Sequence, residues 1–450
     1  TQEEILKKLS ISKEKLLKIN DKIKNIEILQ ELILKKGSGE RYWNSILPFA
    51  KYTKNVIENN FNLPIRIAFF PGVSCMFYCG FCGRNQNAKY PSNIVKQGTD
   101  NLKLIIDEIK NKNSNSTAIS ISGGLEPLTN PFLSNFISYA KDKGLRVPLI
   151  TNAYSLTKSY VDKNPGIWDL DSLRVSLYGV DNDTYNFVTR SPKSYKMVTK
   201  NLINFLITRK SIKSKLKVGL NFIILKENIK DIRKLCEFIK YINDSSNTEI
   251  DFLTLREDFG SVTGHSSSLD IERKYRLDGV LNLKDRDYLK NELFFLEDFK
   301  KKHFPNLNID YGYALKGLAN DKLDYYLVRA NDEEVTKKGY PQLSVAIDLF
   351  GDVFLYREAG FLNRQGNEDY IIGRVSKNKN LEDIISHHLK SYKEKKILNS
   401  SRFLDSFDHL ITKLVTQAQK DFEIGIPFKY GPIKMRSENV DINLGNNWYS

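Results

Sequence analysis

Residues 65–82 read IRIAFFPGVSCMFYCGFC, a short β-rich run that leads into a loop containing three cysteines. Within this loop, Cys75, Cys79 and Cys82 are separated by three and then by two residues. The chain has four cysteines in all, and this concentration suits metal ligation better than a disulfide framework. Three thiolates on one short loop can bind three irons of a cubane cluster, which leaves the fourth iron open to another ligand.

A zinc site and a set of free cysteines are the alternatives for this loop. Structural zinc needs four ligands, and the remaining cysteine of the chain is Cys236. Cys236 stands in the helical pattern DIRKLCEFIKYIN, where a core position is expected. The spacing therefore favours one iron–sulfur cluster with an open iron.

Outward from the cysteine loop, β-rich runs alternate with helical runs, a pattern typical of βα units and a parallel sheet. Six strands are predicted, at residues 65–70, 118–122, 146–151, 172–177, 217–224 and 249–255. Six units in succession predict an α/β fold, a partial (β/α)6 TIM-like barrel. Its active site is expected at the carboxyl ends of the strands, where the cysteine loop also lies.

The sequence predicts three regions. Apolar positions at helical spacing indicate a helical N-terminal region over residues 1–60, and the partial barrel spans 61–257. Residues 258–450 form an α+β extension with a strand pair at 343–349 and 353–356. This extension contains no cysteine, so it is expected to be a metal-free cap over the mouth of the barrel.

Composition limits the partners. No apolar run approaches the roughly 18 residues of a membrane span, and the charged N-terminus lacks a signal-peptide core, which predicts a cytoplasmic protein without a membrane partner. The net charge of +15 would suit a nucleic acid. Many lysines, however, stand in Asn-rich runs such as KNKNSNS, so nucleic acid is not the expected partner.

The cysteine spacing, with Phe81 directly before the third cysteine, resembles that of the radical SAM superfamily. The resemblance implies one [4Fe–4S] cluster held by Cys75, Cys79 and Cys82, with S-adenosylmethionine (SAM) on the open iron. It also implies reductive cleavage of SAM to a 5'-deoxyadenosyl radical. The electron would come from a donor such as flavodoxin or ferredoxin.

The run SISGGLEPLTNP follows the second predicted strand. Glycines allow a backbone to approach a ligand closely, although a Gly-Gly pair alone is more often only a tight turn. The family has a Gly-Gly-Glu motif here that binds the amino group of SAM. Gly123 and Gly124 match this motif, whereas Leu125 separates them from Glu126, which departs from the family pattern.

Polar residues interrupt the later strands, with Ser176 in LRVSLYG and Asn221 in VGLNFIIL. The resemblance implies that both contact the ribose or carboxylate of SAM, and ordinary satisfied core positions are the alternative. Arg256 ends the sixth strand in FLTLRED. It could bind the carboxylate of SAM or a substrate phosphate, or pair with the neighbouring Glu257 or Asp258.

Four further residues are candidates for contact with the substrate. Tyr178, just beyond the fourth strand, is the candidate catalytic hydrogen-bond donor, and Arg190 is a candidate for binding. In the extension, Tyr356 and Arg357 stand where relatives with auxiliary clusters would have a cysteine.

The stretches SGGLEPLTNP, RVSLYG and LYREAGFLNR together resemble the sugar-modifying branch of the superfamily, of the TDP-4-amino-4,6-dideoxyglucose deaminase type. That resemblance implies a lyase, an ammonia-lyase or dehydratase, acting on a small nucleotide-linked (amino)deoxysugar. The alternatives are radical SAM modification of tRNA or a peptide, and a non-catalytic iron–sulfur protein. A peptide-modifying enzyme with auxiliary clusters is disfavoured because no further cysteines remain in the extension.

Overall fold

The computed structural model describes residues 55–56, 58–84, 87–112, 117–225, 227–257, 283–311, 339–364 and 366–391. Most of the predicted helical region 1–60 lies outside these residues, as do large parts of the predicted extension. Among the described residues, no helix combines the length and apolar character that a membrane crossing requires.

One ten-stranded sheet organises the described chain, in the order β10-β9-β8-β1-β2-β3-β4-β5-β6-β7. The strands are β1 (Arg66–Phe70), β2 (Ala118–Ile121), β3 (Pro148–Thr151), β4 (Ser172–Leu177), β5 (Lys217–Ile224), β6 (Phe252–Glu257), β7 (Asn308–Tyr311), β8 (Ser344–Asp348), β9 (Asp352–Phe354) and β10 (Ile371–Arg374). All pairs from β8 through β1 to β7 are parallel. Among the described strands, the two antiparallel pairs are β8 with β9 and β9 with β10.

Helices connect the parallel strands and cover one face of the sheet. They are α1 (Ser92–Asn111), α2 (Leu133–Asp142), α3 (Lys158–Lys163), α4 (Asn182–Thr189), α5 (Ser194–Ser211), α6 (Ile232–Ser246), α7 (Leu283–His303) and α8 (Leu381–Ser391). The alternation of strands and helices makes this an α/β fold with a partial TIM-like barrel, as the sequence predicts.

The main core lies between the sheet and the helices. Strand residues such as Val175, Leu220 and Leu253 are fully buried there with helix residues such as Leu202 and Leu235. Because side chains alternate along a strand, the residues between them point to the opposite face of the sheet. We call the helix-covered face the outer face and the opposite one the inner face.

The six predicted barrel strands are present, with shifts at their ends. The third strand begins at Pro148 instead of residue 146, and the sixth runs from Phe252 to Glu257 instead of 249–255. The later start of β6 agrees with side-chain hydrogen bonds to the two residues before Asp251. Arg209 Nη2 donates to the Glu249 carbonyl at 2.7 Å, and the Ile250 N–H donates to the Asn243 side chain at 3.0 Å. Side chains thus take backbone groups that a strand ladder would otherwise use.

The strand pair predicted in the extension is also present, as β8 and β9. However, β8 pairs with β1 along its whole length, from Arg66 opposite Ser344 to Phe70 opposite Asp348. The division into three regions stays a prediction, but the sheet itself is continuous across the predicted boundary at residue 257. Sequence pattern does not show this pairing, because parallel neighbours are joined by long connections.

Candidate cluster and cofactor site

The cysteine loop follows β1 at the carboxyl edge of the parallel strands. Its start is fixed by Thr129, whose hydroxyl accepts the N–H groups of Val73 and Ser74 at 3.0 and 3.1 Å. Its middle is fixed by the Tyr78 N–H, which donates to the Thr189 carbonyl at the end of α4 (2.9 Å). The loop is therefore attached to two separate βα connections.

Cys75, Cys79 and Cys82 are all free thiols, with Cys79 buried and the other two partly exposed. Burial raises the pKa of Cys75 to about 11, with Arg84 acting in the opposite direction. Burial and the neighbouring Cys82 and Cys75 raise the pKa of Cys79 well above its usual value. The three thiols are therefore close enough to influence one another.

Among the described residues, no group of three or more His, Cys, Asp or Glu side chains is arranged to hold a single metal ion. A cubane cluster does not require its ligands to meet at one ion, because each of its cysteines binds a separate iron. Three neighbouring free thiols on one loop supply the soft donor set that such a cluster takes.

The Gly-Gly loop after β2 packs directly on the cysteine loop. The Glu126 N–H donates to the Ser74 carbonyl at 2.9 Å. A Cβ on Gly72 would lie 2.5 Å from the Leu125 carbonyl carbon, so this backbone contact requires glycine. Gly123 and Gly124 both have left-handed φ angles, +73° and +59°, which glycine adopts without strain. Both residues lie where the sequence places them, and their contact with SAM stays a prediction.

Glu126 is buried, and protein donors occupy its carboxylate. It accepts the Leu128 N–H (3.1 Å), the Thr151 hydroxyl (2.5 Å) and the Asn152 N–H (2.8 Å). Burial raises its pKa, and these three hydrogen bonds lower it. The carboxylate thus fastens the Gly-Gly loop to the end of β3. Its predicted contact with SAM stays a prediction beside this structural role.

Asn152 is a site residue that sequence reasoning missed. Its amide nitrogen lies 3.8 Å from the Cys75 sulfur and 3.2 Å from the Met76 sulfur. The next residue, Ala153, has a φ of +57°, which is rare for a residue with a side chain. An Asn directly after a predicted strand in a βα protein was the signal that could have found it.

Ser176 and Asn221 are neighbours across β4 and β5, and Asn221 pairs in turn with Thr254 on β6. All three are buried and share the inner face. Among the described residues, Asn221 Oδ1, Thr254 Oγ1 and Arg256 Nε have no hydrogen-bond partner. Buried polar atoms without partners are uncommon and are often satisfied by a ligand or water. Thr254 was not predicted, since threonine is ordinary in strands.

The alternative partners predicted for Arg256, Asp258 and the side chain of Glu257, lie outside the described residues. Arg256 itself is the next-to-last residue of β6. Its partly exposed side chain and its buried Nε suit a ligand that reaches this edge.

Tyr178 and Phe81 lie together between the cysteine loop and β4. Their ring centroids are 5.1 Å apart, and Tyr178 also packs at 6.0 Å from Tyr185. Burial raises the pKa of Tyr178 well above its usual value, and a hydrogen bond with Ser176 partly offsets this. The predicted catalytic tyrosine is therefore next to the predicted cluster loop.

The three remaining candidates for substrate contact, Arg357, Arg190 and Tyr356, lie in different surroundings. Arg357 Nη2 donates to the Ser122 hydroxyl at 2.6 Å, which brings it to the Gly-Gly loop. Arg190 is exposed with a φ of +52° at the end of α4, next to the carbonyl that holds Tyr78. Tyr356 is 1% exposed and packs on Tyr370, in a cluster with inner-face residues of β1 and β8. A direct substrate contact by any of the three stays a prediction.

The segment that follows Tyr356 contacts the cysteine loop through Phe361 and the Gly-Gly loop through Arg357. A Cβ on Gly83 would lie 2.7 Å from the Phe361 ring, and one on Gly360 would lie 2.7 Å from the Phe70 ring. This segment thus packs on the cysteine loop and on the inner face of β1. Residues 357–361 of the predicted extension therefore lie against the two candidate site loops and β1.

Comparison with known proteins gives a consistent result. The model of the radical SAM superfamily matches residues 69–239. The chain is 32% identical over 390 residues to the dTDP-4-amino-4,6-dideoxy-D-glucose ammonia-lyase of Streptomyces venezuelae, covering 86% of this chain and 77% of that enzyme. It is 29% identical over 179 residues to the AdoMet-dependent heme synthase of Methanosarcina barkeri, covering 40% of this chain and 48% of the synthase.

Among solved structures, Streptococcus suis SuiB bound to S-adenosylmethionine is similar with a TM-score of 0.47 and 16% identity. The similarity covers 72% of this chain and 65% of SuiB. The extent of the ammonia-lyase match and the family match agree with the cysteine spacing and the barrel. This chain therefore belongs to the radical SAM superfamily, whose cofactors are a [4Fe–4S] cluster and SAM, and it resembles the sugar-modifying branch.

Proposed function

We propose that this radical SAM enzyme is a lyase that releases ammonia from a nucleotide-linked aminodeoxysugar. The observation that carries the proposal is the similarity to the Streptomyces venezuelae ammonia-lyase. That similarity covers 390 residues, whereas the family model covers only residues 69–239. The likeness therefore includes sequence outside the superfamily core, where residues specific to a substrate class are expected.

In this proposal, Cys75, Cys79 and Cys82 hold the cluster. When bound, the cluster and SAM supply one electron and a 5'-deoxyadenosyl radical able to remove a hydrogen atom from the substrate. SAM is held by residues on or after β1, β2, β4, β5 and β6: Phe81, Gly123, Gly124, Glu126, Ser176, Asn221 and Arg256. Asn152, beside Cys75, orients the loop that carries the first thiolate.

The inner face supports binding of a polar ligand. TIM-barrel interiors are usually filled by Val, Ile and Leu. Here the inner face of β4 to β6 carries Arg174, Ser176, Asn221, Thr254 and Arg256. Asn221 and Thr254 each have a buried polar atom without a partner in the part of the chain that the structure describes. These atoms suit a ligand with several hydroxyl or amino groups, because each buried polar atom left unpaired costs about 1–3 kcal/mol.

The proposed substrate contacts lie around this face. Tyr178, which directly follows β4, donates a hydrogen bond from its phenolic hydroxyl to the sugar. Arg190 and Arg357 provide cations for the nucleotide diphosphate, in keeping with the affinity of guanidinium for phosphate. Tyr356 shapes the wall that excludes water from the radical. The electron comes from a flavodoxin or ferredoxin, and the cytoplasmic location stays a prediction.

The test is an anaerobic assay of the reconstituted full-length enzyme with dithionite, SAM and dTDP-4-amino-4,6-dideoxy-D-glucose. Ammonia and 5'-deoxyadenosine should form only when both SAM and the amino sugar are present. A matched substrate with a hydroxyl in place of the 4-amino group should give no ammonia and slower SAM cleavage.

Two results would contradict the proposal. Substrate-dependent SAM cleavage without ammonia from the amino sugar would overturn the ammonia-lyase assignment. Cleavage of SAM that neither sugar stimulates would overturn the sugar substrate. The C82S variant serves as the control for chemistry that does not depend on the cluster.

A further inference from the structure

Arg84 is a buried cation that the proposed function does not use. It follows Cys82 by two residues and is 5% exposed. Among the described residues, neither Nη1 nor Nη2 has a hydrogen-bond partner, although both atoms are buried. A guanidinium is always charged in proteins, and burial of a charge without a partner is strongly unfavourable. An anionic partner is therefore expected next to the Arg84 guanidinium.

The groups that face Arg84 identify where this anion lies. The groups that act most strongly on the charge of Arg84 are the Cys82, Cys75 and Cys79 thiols and the Tyr178 phenol, and Cys82 lies two residues away on the same loop. None of these four groups is a carboxylate. The carboxylate of Glu126, which also acts on Cys75, is occupied by Leu128, Thr151 and Asn152. Arg84 thus lies near the three cysteines and has no carboxylate among the groups that act on it most strongly.

The site of the three thiols gains negative charge when they bind a cluster. A coordinating thiol is deprotonated, and three thiolates bring more negative charge than the oxidised cluster core has positive charge. Reduction by one electron adds a further negative charge. In a buried site, where charges are weakly screened, a fixed cation stabilises the reduced form more than the oxidised form.

We propose that Arg84 is the counter-ion of the cluster and raises its reduction potential, so that a one-electron donor can reduce it. The inference rests on the proposed assignment of the cluster to Cys75, Cys79 and Cys82. Arg84 acts as a positioning residue in this role, because it tunes the cluster without itself reacting. The electron is supplied by the external donor, dithionite in the test, which is oxidised as the cluster is reduced.

The same guanidinium could instead bind the carboxylate of SAM, since that is also an anion next to the cluster. The two roles differ in one measurable respect. A counter-ion of the cluster acts in the absence of SAM, whereas a ligand of the carboxylate acts only on SAM. The experiment is therefore carried out without SAM first.

The test compares three variants of the reconstituted full-length protein. R84Q removes the charge, R84K keeps it, and K89Q removes an exposed positive charge five residues further along the same segment. Each is titrated anaerobically in the absence of SAM, with the reduced cluster followed by electron paramagnetic resonance. At a fixed solution potential, the ratio of reduced to oxidised cluster should fall about tenfold in R84Q, which corresponds to about 59 mV for one electron.

R84K should stay within about threefold of the wild-type ratio, and K89Q should match the wild type because water screens its charge. An R84Q cluster that titrates like the wild type overturns the inference. So does an R84Q variant with an unchanged potential but weaker SAM binding, which would assign Arg84 to the carboxylate of SAM.

Two controls keep the test decisive. If R84Q takes up no iron, full uptake by R84K supports the need for charge, and equal loss in R84K overturns it. If the wild-type protein itself forms no reducible cluster, the cluster assignment in the proposed function fails. That result is distinct from a cluster that forms normally but does not respond to residue 84.

Discussion

The two faces of the parallel sheet differ in what they contact. The outer face carries residues such as Val175, Leu220 and Leu253, which are fully buried against the helices. The inner face carries Ser176, Asn221 and Thr254 at the neighbouring positions, and two of these have polar atoms without a partner among the described residues. The outer face therefore stabilises the fold, whereas the inner face of β4 to β6 carries the polar residues to which the proposed function assigns ligand binding.

Cysteines give the sharpest test of this difference. Cys82 lies on the loop at the carboxyl edge of the sheet, whereas Cys236 is 1% exposed in the outer-face core. C82S should lose nearly all bound iron and the iron–sulfur absorption after anaerobic reconstitution, because serine is a poor ligand for iron in such clusters. C236S should keep both. Equal iron loss in the two variants would contradict the assignment of the loop.

Adjacent residues of β6 test the difference in stability. L253A removes a fully buried outer-face side chain and should lower the free energy of unfolding by about 2–5 kcal/mol. T254V removes only a buried hydroxyl that has no partner among the described residues, so it should change stability by less than about 1 kcal/mol or increase it. Thermal denaturation of both variants measures this. A T254V variant as unstable as L253A would show that the hydroxyl is structural.

A buried carboxyl on the inner face predicts a dependence of stability on pH. Asp348 shares a face with Phe70 and accepts the Tyr90 hydroxyl at 2.9 Å. Burial, together with the nearby Asp352, raises the pKa of Asp348 from 3.8 to about 7. Because the folded protein binds this proton more tightly than the unfolded chain does, the free energy of unfolding should fall as the pH rises from about 4 to about 7.

The loss across this range should be at most about 4 kcal/mol for this one group. D348N should remove most of it, since an amide can still accept the Phe350 and Asp352 N–H groups. Denaturation midpoints of both proteins at pH 4.5 and pH 7.5 measure the effect. If D348N shows the same decline as the wild type, another group is responsible.

The two glycines at the site edge give the smallest predicted effect. G123A puts a methyl group 2.3 Å from a carbon of the Phe70 ring at a φ of +73°, and should cost about 1–3 kcal/mol. G124A at φ +59° meets the same ring only at an ordinary 3.5 Å, so about 1 kcal/mol is expected. Thermal denaturation ranks the two. Equal costs would mean that the backbone angle alone matters and that contact with Phe70 does not.

Local patterns predicted the outer face well. Runs of apolar residues at strand and helix spacing fix which segments form the sheet, since that periodicity follows from backbone geometry alone. The predicted ends of the strands were less accurate than the predicted segments. At β6, for example, the start depends on the side chains of Arg209 and Asn243, which bind the backbone of Glu249 and Ile250.

The inner face was predicted only in part. Ser176 and Asn221 were found because they interrupt apolar strands, but Thr254 was missed because threonine is common in strands. Asn152 and Arg84 were missed for a related reason, since their importance depends on contacts with the cysteine loop. Glu126 was predicted as a SAM ligand, and only the fold revealed that Thr151 and Asn152 donate to its carboxylate.

By itself, the sequence determined the cysteine loop, the βα alternation and hence the family, because ligand spacing and side-chain periodicity are local properties of the chain. Tertiary structure decided that β8 lies beside β1, that Phe361 packs against the cysteine loop, and that Arg84 is buried near three thiols. These features arise from residues far apart in sequence, or from burial, and both are set only when the whole sheet has assembled.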